Sequence, residues 1–264
     1  MQMREMAGEA VLIAAGGRSI LLQIADPSIG HGVAHHSEFA ARPLDRLRGT
    51  LTYVYSVVFG TAEEAARARH RVNHAHAPVS GPATAQSPAY SAFTPELQLW
   101  VAATLYDSAI TMRELVYGPL DDDTADALYR DYAVLGTALQ MPSELWPPDR
   151  TAFARYWDRR LGELATDTAT RVVARQLLHP RTGPVWLRLM MPLGRFVTVG
   201  LLPGPVRALF DLPWSAGSQR RFDRVIRLTA RVYPRLPRRL RHWPKNHYLR
   251  LMRQSRELAA VSWQ

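Results

Sequence analysis

There is no cysteine in this 264-residue chain, which excludes disulfides, thiolate metal ligands and thiol nucleophiles. Any metal chemistry falls to histidine and carboxylate. Lysine is nearly missing as well: Lys245 is the single example, so the positive charge is almost entirely arginine. Acidic residues are outnumbered 23 to 33 by Lys and Arg, leaving a formal net charge of +10 and a pI near 10.5. No apolar stretch is long and uncharged enough to span a bilayer. The start, MQMREMAGEAVLIAAGGRSILLQIADP, lacks a secretory layout, because Glu5 and Glu9 precede the apolar run and Arg18 interrupts it. The expectation is a cytoplasmic protein able to touch a membrane surface. A P-loop, a G-x-G-x-x-G after a strand, G-x-S-x-G and H-E-x-x-H are all missing, as is any low-complexity spacer. With 47% hydrophobic and 21% charged residues the composition argues against disorder, and one domain over residues 1–264 is expected.

What is present is helical periodicity from end to end. Leu44, Leu47, Leu51, Val54 and Val58 recur at helical spacing and predict a helix from Pro43 to Phe59, with Arg46, Thr50 and Tyr53 on a neighbouring face. Gly60 breaks it. Thr61 followed by Glu64 has the form of a capping box opening a second helix, which gathers His70, His74 and His76 near its end. One cation, one hydroxyl and several imidazoles are thereby offered to a shared interior site. Upstream, Gly16-Gly17 is expected to loosen or kink an apolar helix, and His31 and His35, four apart, can meet on one face.

The loop HAPVSGPATAQSPAYSAFTPEL has no periodicity, and Thr94 is expected to cap the helix opening at Pro95. That helix, ELQLWVAATLYDSAITMRELVYG, is apolar on almost every face and reads as the buried centre of an all-α domain. Asp107 on it requires a cationic partner such as Arg or His. The run VWLRLMMPLGRFVTVGLLPGPVRALFDLPW reads either as a channel lining for an apolar ligand or as core interrupted by turns. From Arg220 to Arg256, apolar and basic positions alternate at helical spacing. Solvated helix faces look like this, and so does a surface for anionic lipid; nucleic acid is disfavoured because no binding motif accompanies the charge.

These segments together resemble the DUF2236 family, the catalytic domain of the MpaB oxygenase and rubber oxygenase. The likeness rests on GEAVLIAAGGRSILLQIADPSIGHGVAHHSEF, RLRGTLTYVYSVVFG, HAPVSG, YSAFTPELQLWVAATLYDS and LPRRLRHWP. It implies a single all-α, multi-helix domain enclosing a pocket for haem b, and oxygenase activity on an apolar substrate with dioxygen. It also implies that Arg46 and Thr50 in RLRGT belong to the haem pocket and that His76 in HAPVSG is the axial iron ligand. Gly49 stands where rubber-cleaving members carry a second axial lysine, and Ala102 where many relatives carry histidine. Two other readings remain. Glu63, His70 and His74 share a helical face and together suit a haem-independent metal site. The basic C-terminal region suits peripheral attachment to an anionic membrane, with or without enzymatic activity.

Overall fold

A computed structural model describes residues 3–36, 43–84, 88–180, 182 and 184–261, with the side chains of 43, 44, 46 and 255–261 left aside. The chain is all-α. Helix α1 (Met3–Ala7) leads through a 3-10 segment (Ala10–Ala15) into α2 (Gly16–Ile24) and α3 (Pro27–His36). Then come α4 (Pro43–Phe59) and α5 (Ala62–His76), a two-residue antiparallel ladder of β1 (Ser80–Gly81) with β2 (Tyr90–Ser91), and the long α6 (Pro95–Tyr117). α7 (Asp122–Tyr132), α8 (Val134–Thr137), α9 (Arg150–Glu163) and α10 (Thr168–Leu178) follow. The chain closes with α11 (Val185–Leu201), α12 (Gly204–Leu209), α13 (Ala216–Val232), α14 (Arg238–Arg241) and α15 (Trp243–Val261).

The expected centre is the observed one. Trp100, Ala103 and Thr104 of α6 have no solvent exposure, and α2, α8 and α13 pack around that helix. Trp100 donates its indole N–H to the carbonyl of Leu22 at 3.1 Å, which ties the middle of the core to α2. Beside it Tyr106, Tyr129, Tyr132, Trp146 and Phe153 form a cluster of mostly edge-to-face rings. Thr104 bonds back to Val101 and accepts from Ser19 and Gln23, so the small hydroxyls of α6 serve packing against α2.

Asp107 has the partner it requires. Arg18, 4% exposed, ion-pairs with it, and donates to Ser108 at 2.8 Å and to the carbonyl of Leu201 at 2.9 Å. Desolvation by burial nevertheless holds the Asp107 carboxyl above its ordinary range, the opposing pull of Arg18 being the smaller effect.

Three local expectations are corrected. Gly16-Gly17 does not loosen a helix: the pair starts α2, and a Cβ on Gly17 would lie 2.2 Å from the Thr198 hydroxyl, so glycine is there to let α11 approach. Thr94 occupies the cap position of α6 without a side-chain cap bond. The apolar run after Pro184 is core interrupted by turns only from Val197 on, because α11 is exposed in its first half. Asp121, Asp149 and Asp167 cap α7, α9 and α10 with their side chains. Among the described residues, no single helix is long and apolar enough to cross a membrane.

Candidate functional site

The capping box closes as its spacing predicts: Glu64 N donates to the Thr61 hydroxyl at 3.2 Å, and Thr61 N donates to Glu64 Oε2 at 2.9 Å. The box starts α5 directly after the Gly60 break, so α4 and α5 pack as a helical hairpin. Its open end carries the predicted residues. Arg46 falls in α4, but its side chain lies outside the described residues. Thr50 and Gly49 are exposed, so the hydroxyl does not face the interior as expected. Tyr53, one turn on, is buried and donates to the carbonyl of Leu135 at 2.7 Å.

His76 is the last residue of α5 and is half-buried. Its ring meets Phe93 at 6.5 Å between centroids and 74° between planes. Two features fix this helix end. The amide of Val79 donates to the carbonyl of His76 at 2.8 Å and turns the chain into β1. One turn earlier, Asn73 accepts from Gln140 at 2.8 Å, and Gln140 exchanges bonds with Gln98 at 3.0 and 3.2 Å. The first turn of α6 and the end of α5 are therefore tied together through Gln140.

The metal alternative fails. Glu63, His70 and His74 do share a face of α5, but it is the solvent face, and Glu63 is ion-paired to Arg67. Among the described residues, no cluster of three His, Asp or Glu side chains suits a metal ion.

A second group of residues comes together that sequence spacing had only hinted at. The Tyr90 ring is laid between α3 and β1: a Cβ on Gly81 would lie 2.7 Å from it, and one on Gly32 would lie 3.4 Å from it. Only glycine at position 81 admits the ring. The Tyr90 hydroxyl lies 3.2 Å from both His35 Nδ1 and His36 Nε2. A phenol has one proton, so it donates to one imidazole and accepts from the other. His31 meets His35 edge-on at 5.7 Å and holds Asp167 at 2.7 Å. Burial raises the Asp167 carboxyl, but bonds from Thr170 and His31 outweigh it and hold the group below its ordinary range. Asp167 and His31 form one polar pair and His35, Tyr90 and His36 a hydrogen-bonded triad, the two groups touching through the His31–His35 ring contact. Beside the triad, the β1–β2 ladder is continued by Ala92 N, which donates to the carbonyl of Val79 at 2.9 Å. The signal for Tyr90 was its place in YSAFTPEL, but only the ladder register, Gly81 opposite Tyr90, brings it to α3.

The model of one protein family, "ER-bound oxygenase mpaB/B'/Rubber oxygenase, catalytic domain", matches residues 3–231. The chain belongs to this family. The matched span takes in both His76 and Tyr90 and ends before LPRRLRHWP, so that closing segment lies outside the shared domain. The uncharacterized proteins Rv2237 of Mycobacterium tuberculosis and Mb2261 of Mycobacterium bovis are each 41% identical to it over 225 residues, covering 82% of this chain and 88% of theirs. No solved structure matches.

At the open end of the hairpin, His76 is of the donor type that the cofactor implied by the family resemblance takes. Its ring is half-buried against Phe93, whereas the Thr50 hydroxyl on α4 is exposed. A second ligand from lysine does not arise at position 49. Lys245 packs its ammonium 4.9 Å from the ring of Phe59, nine residues and about 13 Å of helix from Thr50. Cavities of about 220 Å³ beside Glu9, Arg113 and Arg241, and of about 420 Å³ beside Asn246 and Arg250, lie apart from these residues.

Proposed function

We propose that this chain is a haem b-dependent oxygenase acting on an apolar organic substrate, with His76 as the axial iron ligand and Arg46 and Thr50 lining the pocket. The single observation that carries the reading is the placement of His76, held by the Gln98–Gln140–Asn73 chain at a helix end beside Phe93. Membership of an oxygenase catalytic-domain family supports the reaction class. When bound, haem supplies the redox chemistry with dioxygen, and the protein supplies binding, orientation and shelter from water.

The roles of the side chains follow from their chemistry. His76 serves as a ligand in its neutral form, with one ring nitrogen free of its proton. Arg46 offers a guanidinium able to pair with a propionate, and Thr50 a hydroxyl able to donate a hydrogen bond. The Tyr90 hydroxyl bridges the His35 and His36 imidazoles and can pass a proton between those two. The same proposal places the protein in the cytoplasm, in peripheral contact with an anionic membrane through its basic C-terminal region. Exposed arginines on α13 and α14 support that part.

The test is an absorption spectrum of the purified full chain after haem supplementation. The expected result is a Soret band that shifts or is lost in His76→Ala and is kept in His74→Ala. A spectrum without a Soret band, or one that His76→Ala leaves unchanged, overturns the ligand assignment.

A further inference from the structure

α11 leaves the body of the protein. Its C-terminal half is core, with Gly200 and Phe196 packed on Phe222 of α13. Its N-terminal half carries five large apolar side chains in water: Val185 at 61% exposure, Trp186 at 58%, Leu189 at 74%, Met190 at 55% and Leu193 at 48%. Residues 185, 189 and 193 are successive turns of one face, and 186 and 190 lie directly beside them, so the five form one continuous ridge. Exposed single apolar residues are ordinary. A contiguous ridge worth several hundred Å² is the size at which such a patch marks an interaction site.

The surroundings of the ridge say what covers it. Arg188 is exposed on its flank, and α13, packed on the same helix, bears Arg220, Arg224, Arg227 and Arg231 as an exposed stripe. Among the described residues none of these four makes an ion pair, whereas Asp211 pairs with Arg171 and Asp223 accepts from Gln219. Leu228 at 63% and Val232 at 50% exposure are interleaved with the stripe. Uncompensated arginines on the helix packed against the buried half of α11, next to an exposed apolar ridge on its other half, complement a surface that is anionic outside and apolar beneath. A tryptophan in the ridge fits the boundary between the two layers. A second copy of the chain is less well matched. It would bring the same arginines together, and the ridge falls short of the roughly 800 Å² per partner that a stable protein interface buries.

We infer that the N-terminal half of α11, Val185–Leu193, inserts into an anionic lipid surface, with the α13 arginines seated on the headgroup phosphates. This rests on the membrane contact proposed above and assigns it a specific insertion element outside the basic C-terminal run. The helix is already formed, so no ordering cost attends insertion.

The experiment is flotation of the full chain with vesicles of phosphatidylcholine alone, or of phosphatidylcholine mixed with phosphatidylglycerol. The chain is expected to float with the mixed vesicles and not with the neutral ones. Leu189→Gln/Met190→Gln should weaken binding roughly tenfold or more, since the two side chains supply much of the ridge's apolar area. Arg224→Gln/Arg227→Gln should weaken it too and flatten its dependence on salt. All four positions are exposed, and unchanged thermal unfolding checks that the variants fold. Leu189→Trp is the converse test, expected to bind more tightly and to shift its emission to the blue on vesicles. If the glutamine pair floats like the wild type, insertion of α11 is overturned while membrane contact stands. Failure of the wild type to float overturns both. A concentration-dependent dimer that the glutamine pair abolishes, without vesicle binding, makes the ridge a self-association surface and likewise overturns the inference.

Discussion

Replacing Arg18 by methionine keeps most of the side-chain volume and removes the charge from a guanidinium with a 5% exposed side chain. Three bonds are lost: to Asp107, to the Ser108 hydroxyl and to the Leu201 carbonyl. Breaking one side of a buried pair costs about 3–5 kcal/mol. Asp107 keeps 24% side-chain exposure and can recover some hydration, which argues for the low end, about 3 kcal/mol. For a chain of this size that corresponds to a fall in Tm of roughly 6–12 °C. The loss has a pH signature. The folded-state pKa of Asp107 is already raised, so the folded protein holds this proton more tightly than the unfolded one, and stability declines as pH rises from the ordinary carboxylate range through the raised value. Taking Arg18 away raises the pKa further, so the decline deepens and extends to higher pH. Chemical denaturation of wild type and Arg18→Met across pH 5 to 8 should therefore show a gap that widens with pH, above a constant part of about 1 kcal/mol for each neutral bond lost. Adding Asp107→Asn should narrow the gap at neutral pH. A gap independent of pH, or an Asp107→Asn cost that simply adds to that of Arg18→Met, refutes the reasoning.

Other outcomes follow from single contacts. Thr61→Ala should cost about 0.5–2 kcal/mol by removing half of the capping box, measured by thermal unfolding. The Glu64 carboxyl is held below its ordinary range chiefly by the Thr61 amide, so Glu64→Gln should lose stability at neutral pH. That difference should vanish as pH falls through the lowered pKa, where the wild-type carboxylate is protonated too. Ala102→His should destabilise by about 1–3 kcal/mol, because Ala102 is 2% exposed and its Cβ abuts Gly136. Tyr90→Phe should alter the imidazole signals of His35 and His36 in NMR spectra and leave that of His74 unmoved, since only the first two bond to the hydroxyl.

Much of the fold was legible. α4, its break at Gly60, the capping box of α5 and the burial of α6 are all local or periodic features. The family pattern pointed to residues 46, 50 and 76. It did not say that Thr50 would lie exposed or that His70 and His74 would face solvent, because which side of a hairpin meets the body depends on the helices packed against it.

By itself the sequence determined an all-helical, arginine-rich chain with a buried central helix, an acid on that helix in need of a cation, and histidine chemistry without cysteine. Tertiary structure alone decided the partners. Arg18 was chosen for Asp107 across 89 residues, Tyr90 was set between His35 and His36, and Gly17 was needed so that α11 could pass. It alone also stranded the first half of α11 in solvent, since the same apolar letters bury Val197 and expose Leu189. Periodicity reports that a helix has an apolar face; only the placement of its neighbours determines whether protein or something else covers it.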